Sequence, residues 1–258
     1  MTRVVKIGGR VQSDPRLPAA LASAHRAEPG GLVVVHGGGG DVTALQRRLG
    51  QEPTFVGGRR VTSADELDIV RMVLSGTANK RLVAALISAG AKAAGVSGED
   101  GGMLRARVAA GAPLGRVGER VTADATLVRD LLVHGWLPVV SPVARDADSS
   151  AGDALNVNGD DAAAALAAAL AADELVFVAD VPGVVVREAV ASSLVSDEAA
   201  DLIRNGVAAG GMAAKLEAGF SALVKGVKRV RIANLDALDD PAQGTSLLPS
   251  PTAAPWRR

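Results

Sequence analysis

Six short runs of β-branched and apolar residues, at 4–7, 32–36, 93–96, 138–141, 175–179 and 230–233, are separated from one another by longer stretches with helical periodicity. Runs that are apolar on both faces fit strands covered on both sides. The intervening helices read at 17–28, 42–49, 64–75, 77–89, 124–134, 161–172, 197–205 and 213–226. This βαβ alternation predicts an α/β fold with a mainly parallel sheet and helices on both faces. Residues 103–121, with MLRARV and RVGERV around Gly111 and Pro113, read instead as a hairpin excursion. The tail after Gly244 is rich in Pro, Ser and Ala and is expected to fray at its end. The chain carries no internal repeat and no linker long enough to separate two independent domains.

Charge and composition narrow the partners. The 258 residues carry 28 Lys plus Arg against 28 Asp plus Glu. No long-range field therefore recruits nucleic acid or an anionic membrane, and a small molecule is the expected partner. There is no cysteine, which excludes disulfides and thiolate chemistry and fits a reducing, cytoplasmic setting. The start of the chain reads as a strand rather than a signal peptide, and the Ala/Leu run at 162–172 is too short to span a bilayer. His25, His36 and His134 share no ligand spacing, so no protein-bound metal is expected.

In open α/β sheets ligands bind beyond the carboxyl ends of the strands. Four strand ends carry unusual chemistry: Lys6-Ile-Gly-Gly9, His36 with Gly37 to Gly40, Asp180-Val-Pro-Gly183, and Ile232 to Asn234. The run LVVVHGGGG feeds a strand into a turn without side chains that opens onto a helix N-terminus, an arrangement that favours an anion. It matches neither G-x-x-x-x-G-K-[ST] nor G-x-G-x-x-G. A plain tight turn is the alternative, but four glycines exceed what a turn needs.

Lys6 precedes Gly8 and Gly9, where burial would be costly unless the ammonium met an anion. Lys215 lies in the first turns of a helix opened by Gly210 and Gly211, an unfavourable place for a cation without a ligand. Both lysines also have a bland reading as solvated side chains. In NVNGDD, alternation puts Asn156 and Asn158 on one side, with a plain turn as their alternative reading, and one of Asp160 and Asp161 can serve as N-cap while the other faces the site. Arg60 stands ahead of a Ser63 to Glu66 capping box, well placed for bidentate carboxylate recognition, whereas Arg59 is expected to be solvated. Pro182 and Gly183 occupy the central positions expected of a type II turn.

The ordered strings KIGG, VVHGGGG, GRRVTSADELDIVRMVLSG, NKRLV, GVSGEDGGML, LGRVGERV, LPVVSPV, NVNGDDAA, ADVPG and GGMAAK closely resemble the N-acetylglutamate kinases across nearly the whole chain. The resemblance implies an αβα sandwich with a mainly parallel sheet of about eight strands. Residues 1–172 would form the amino-acid-binding and dimerisation lobe, and residues 173–258 the nucleotide-binding lobe, on one continuous sheet. It implies that Lys6 and Lys215 stabilise the transferring phosphoryl group, with Asp160 orienting both. Gly8, Gly9 and Gly37 would face phosphate, and Gly38, Gly39, Arg60, Asn156 and Asn158 the substrate. Asp180, Val181, Pro182, Gly183, Val184 and Val185, with Val207, Ala208, Ala209 and Gly211, would bind the nucleotide. ATP would arrive with Mg2+ held mainly by its own phosphates.

Two related readings keep the fold and change the acceptor, to a carrier-linked aminoadipate or glutamate or to N-succinylglutamate. A third, a non-catalytic amino-acid sensor, would be marked by loss of Lys6, Asp160 or Lys215, and all three are present. The helix carrying Leu67, Ile69, Val70, Met72, Val73 and Leu74 is more apolar than one sheet-facing stripe requires. Together with the resemblance, this predicts a homodimer. The first strand begins almost at Met1, without the extra N-terminal helix of arginine-inhibited relatives, so insensitivity to arginine is expected.

Overall fold

The computed structural model describes residues 1–111 and 113–250. Eight strands form one sheet: β1 (Arg3–Ile7), β2 (Leu32–His36), β3 (Ala93–Ser97), β4 (Leu137–Ser141), β5 (Glu174–Val178), β6 (Ser193–Val195), β7 (Arg229–Ala233) and β8 (Thr245–Leu248). Their order is β6-β8-β7-β5-β1-β2-β4-β3. Strand β8 runs antiparallel to β7 and parallel to β6; the other six strands are parallel. The order reverses direction at β1, which pairs with β2 on one side and β5 on the other. A crevice at the carboxyl end of β1 is the ligand position for such a sheet.

Eight α-helices accompany the sheet: α1 (Leu17–Ala27), α2 (Gly39–Arg48), α3 (Ala64–Arg71), α4 (Asn79–Ser88), α5 (Thr126–Val133), α6 (Gly159–Ala169), α7 (Ser196–Arg204) and α8 (Gly211–Val224). Helices α1 and α4 pack with Val5, Ile7, Leu32 and Val34 on one face. Helices α5, α6 and α8 pack with Val4, Val33, Val35 and Phe177 on the other. Alternation along β1 therefore sends Lys6 toward α6, on the side of Val4. The alanines of α6 from Ala162 to Ala167 are all buried, and their small size lets α8 lie close against it. No helix among the described residues is long and apolar enough to cross a membrane.

All six expected sheet strands are present within a residue of their expected bounds. The expected hairpin is also there, as the antiparallel strands Leu104–Val108 and Val117–Ala123. It is more than a hairpin, because Val143–Asp146 and Ala154–Val157 close it into a small four-stranded barrel. Its connecting Ala112 lies outside the described residues. Two other expectations change. The tail begins with sheet strand β8, and its expected frayed end, 251–258, lies outside the described residues. The helices expected at 64–75 and 77–89 are one continuous run, joined through a π-helical segment, Met72–Ala78.

The apolar helix is covered by its own chain. Leu67, Ile69, Val70, Val73 and Leu74 are buried against Val42, Val143 and Ala154, and only Met72 stays exposed. The barrel and α2 supply the second cover that the sequence pattern called for, so the pattern by itself no longer requires a partner chain.

Candidate active site

Lys6 and Lys215 meet on one carboxylate. Lys6 Nζ lies 2.8 Å from Asp160 Oδ1, and Lys215 Nζ lies 3.5 Å from Asp160 Oδ2. The Lys6 contact is ionic and off the line of a hydrogen bond. All three side chains are largely withdrawn from solvent, at 8%, 11% and 5% exposure. Lys6 comes from the end of β1, Asp160 from the first turn of α6, and Lys215 from the first turns of α8. Two buried ammonium groups against one carboxylate leave a net positive charge, which a buried site tolerates when an anion completes it. Burial pushes the Lys215 pKa down, and Lys6 adds to the effect while Asp160 and Asp180 oppose it.

Both ammonium groups stand over Gly8, where a Cβ would lie 2.7 Å from Lys6 Nζ and 3.8 Å from Lys215 Nζ. The Gly8 amide itself donates to Val178 O, and the Gly37 amide to Ile7 O. The amides of these two glycines, both expected to face phosphate, are thus committed to the sheet. Gly39, at the first position of α2, belongs to the turn of a helix whose amides lack intrahelical acceptors. Gly38 has φ 150°, and a Cβ there would approach Leu74 Cδ2 to 2.6 Å, so only glycine fits.

Gly37, Gly38, Gly39, Arg60, Asn156 and Asn158 all line one cavity of about 230 Å³, with Val70 and Leu74 on its apolar side. Five of these six are the residues expected to face the substrate, and Gly37 is one expected to face phosphate. Arg60 donates to Gly39 O at 2.8 Å, Thr43 Oγ1 at 2.7 Å and Gln46 Oε1, and it lies 4.8 Å from the Phe55 ring centre. Gln46 in turn donates to Glu66 Oε1, and Glu66 completes the expected capping box with Ser63. The guanidinium is therefore fixed through to the start of α3. Asn156 Nδ2 donates to Thr62 Oγ1, which donates to Arg60 O.

Several expectations are corrected. The N-cap of α6 is Asn158, whose Oδ1 accepts from the Asp160 amide, so neither aspartate caps and Asp160 is free to face the lysines. Gly183 is not among the positive-φ glycines, so no type II turn forms there. Its absent side chain makes room for Thr245 and Val190, and Thr245 Oγ1 accepts from Val184 N–H. Arg59 is not simply solvated. The Gly57-Gly58 turn, with both φ values positive, folds its strand back, and Arg59 pairs with Glu119 at 3.5 Å and borders the cavity.

The remaining expected residues are less concentrated. Asp180 follows β5 and pairs with Arg10, while Val181 is half-buried and Pro182 and Val185 are exposed. In the second segment Val207 is exposed and Ala208 buried. Ala209 O accepts from Met212 N–H, and Gly211 begins α8. Gly210 and Gly211 line a second cavity of about 350 Å³ together with Asp160, and Asn158 lines both cavities. Gly9, at φ 55°, opens the short helix after β1. Gln46 and Thr62 were missed at the sequence level. A polar residue four positions from Val42 on the buried face of α2 was the signal for Gln46; Thr62 gave none.

Two buried ammonium groups on one carboxylate, with a polar cavity lined by Arg60 at a sheet switch point, suit an enzyme that handles anionic groups. Residues 1–234 match the model of the amino acid kinase family, and the chain belongs to that family. It is 46% identical over 239 residues to the acetylglutamate kinase of Chloroflexus aurantiacus, covering 92% of this chain and 93% of that one. Against the acetylglutamate kinase of a Roseiflexus species the identity is 44% over 249 residues, covering 96% and 93%. Among solved structures, smu.665 from Streptococcus mutans aligns with a TM-score of 0.83 at 27% identity, covering 95% and 98%.

Proposed function

We propose that the chain transfers the γ-phosphoryl group of ATP to the side-chain carboxylate of N-acetyl-L-glutamate, the Chloroflexus and Roseiflexus relatives being acetylglutamate kinases. The observation that carries this reading is the convergence of Lys6 and Lys215 on Asp160 beside a cavity lined by Arg60 and Asn156. In this reading Arg60 holds the α-carboxylate and Asn156 the acylated amine. The acceptor carboxylate is already ionised and needs no base. One of its oxygens bonds to the γ-phosphorus as the bond to the β,γ-bridging oxygen breaks, giving an acyl phosphate and ADP. Lys6 and Lys215 neutralise the oxygens during transfer, and Asp160 sets their spacing.

Residues 1–172 serve as the acceptor lobe and residues 173–258 as the nucleotide lobe, with Asp180 to Val185 and Val207 to Gly211 proposed as nucleotide contacts. For Mg2+, no cluster of three or more metal-ligating side chains occurs among the described residues, and Asp160 is engaged by two ammonium groups. The ion is assigned to the nucleotide phosphates and to no residue here. A homodimer is the assembly expected from the resemblance. ADP release measured with N-acetylglutamate, N-succinylglutamate, free glutamate and a carrier-linked acceptor tests the function. Turnover greatest with N-acetylglutamate is expected; preference for another acceptor, or none, would overturn the assignment.

A further inference from the structure

Three successive carbonyls of the glycine turn are held by donors. His36 Nδ1 lies 2.7 Å from Gly37 O, Val42 N–H donates to Gly38 O at 3.0 Å, and Arg60 donates to Gly39 O. In a trans peptide the following N–H points away from the carbonyl, and the described residues contain no cis peptide bond. Along β2, Leu32 and Val34 face α1 and α4 while Val33 and Val35 face α6 and α8. Alternation puts His36 on the α4 side. Drawing the Gly37 carbonyl toward that side turns the Gly38 N–H to the opposite one, where Lys6 meets Asp160.

The imidazole is almost fully buried, at 1% exposure. Its Nε2 lies 3.1 Å from Asn79 Nδ2, which also donates to Val139 O at 2.8 Å, while Asn79 Oδ1 accepts from Lys80. The Asn79 amide is thus fixed at both ends with its nitrogen toward His36. An amide nitrogen only donates, so Nε2 accepts and the single ring proton sits on Nδ1, where the Gly37 carbonyl accepts it. Burial lowers the pKa of His36; the bond to Gly37 opposes this, and the ammonium groups of Lys6 and Lys80 reinforce it.

We propose that His36 is a positioning residue for phosphoryl transfer: held as the Nδ1–H tautomer by Asn79, it locks the Gly37–Gly38 peptide so that the Gly38 amide faces the anion gathered by Lys6 and Lys215. The imidazole touches neither substrate. Glycine peptides are conformationally free, and a donor fixed before the reaction stabilises charge without reorganising. The proposal rests on the kinase reading above.

Long-range proton–nitrogen correlation of the 15N-labelled wild-type protein reads the tautomer directly. An Nδ1–H ring at pH 7 is expected; an Nε2–H ring or an imidazolium overturns the proposal whatever the activity. His36→Gln and Asn79→Ala, each compared with wild type by thermal unfolding, supply the kinetic arm. Their kcat should fall roughly 10- to 100-fold, less than loss of a donor outright. KM for ATP and acceptor should stay within about threefold, and binding of MgADP with aluminium fluoride should weaken more than binding of ATP. Unchanged kcat in a folded variant, or a loss carried wholly by KM, overturns the assignment. Absence of wild-type turnover with every acceptor refutes the kinase reading instead, and the tautomer still decides the geometry.

Discussion

Lys6 and Lys215 are bound to opposite oxygens of a single carboxylate, Asp160, at 2.8 and 3.5 Å. The two cations come from opposite ends of the chain, and each depends on Asp160 to offset the repulsion of the other.

Removal of either ammonium should therefore act on transfer. Lys6→Ala and Lys215→Ala are expected to lower kcat by roughly 100- to 1000-fold, by analogy with the loss of one oxyanion donor. Asp160→Ala leaves two buried cations without their carboxylate, and is expected to cost about 3–5 kcal/mol of stability as well. Steady-state kinetics with both substrates saturating and urea unfolding check the three variants. Near-wild-type turnover would remove the residue concerned from the mechanism.

The pH profile should carry the signature of Lys215. Burial lowers its pKa below the ordinary lysine value of 10.5, so the free enzyme loses that charge at a lower pH than an exposed lysine would. The proposed mechanism uses the charged form, so kcat/KM for ATP should fall as pH rises through the lowered pKa. In Lys215→Arg the guanidinium stays charged, and this alkaline limb should move to higher pH. A limb that is unchanged in the arginine variant would assign it to another group.

Arg60 has two structural duties, one toward the cavity and one toward Gly39 O. Loss of substrate grip alone would raise the acceptor KM and leave kcat unchanged. Arg60→Lys should raise the acceptor KM by roughly tenfold or more, because an ammonium cannot replace the fork, and should lower kcat a few-fold as Gly39 loses its donor. A raised KM for ATP with an unaltered acceptor KM would place Arg60 at the wrong end of the site.

A different effect is expected at the far end of the sheet. Glu174 is 2% exposed and pairs with Arg3 at 3.1 Å and with Arg229 and Arg231 at 2.8 Å each. Glu174→Gln leaves the buried Arg231 without its counter-charge and should cost about 3–5 kcal/mol. The Michaelis constants should not change, since this cluster sits at the amino ends of the strands. A variant as stable as wild type in urea would contradict that account.

The parallel half of the sheet was legible because each central strand is a short run apolar on both faces and is separated from the next by a longer helical stretch. Strands β6 and β8 were not: Ser193–Val195 is three residues long, and Thr245–Leu248 sits in a stretch rich in Pro and Ser. Strand β8 owes its place to pairing with β7, and β6 to pairing with β8. The barrel closed for the same reason, through two four-residue strands that mean little until Leu104–Val108 and Val117–Ala123 are beside them. At the site, spacing and family resemblance together pointed to Lys6, Arg60, Asp160 and Lys215. Gln46 was marked only by its place on the buried face of α2, and no local pattern gives the bonds of Arg60 to Gln46, Asn79 to His36 and Asn156 to Thr62, which span 14 to 94 residues in sequence.

Strand β1 is hydrogen-bonded to β2 on one side and to β5 on the other, so the first seven residues belong to both halves of the sheet. A chain severed between residues 172 and 173 would give one piece with an open edge along β1 and another with the matching edge along β5. Lys6 and Asp160 would travel with the first piece and Lys215 with the second. Each piece would be inert, and exposed strand edges of this kind pair readily with a complementary strand. Recovery of turnover on mixing would then report sheet zippering directly, making the chain a natural split reporter.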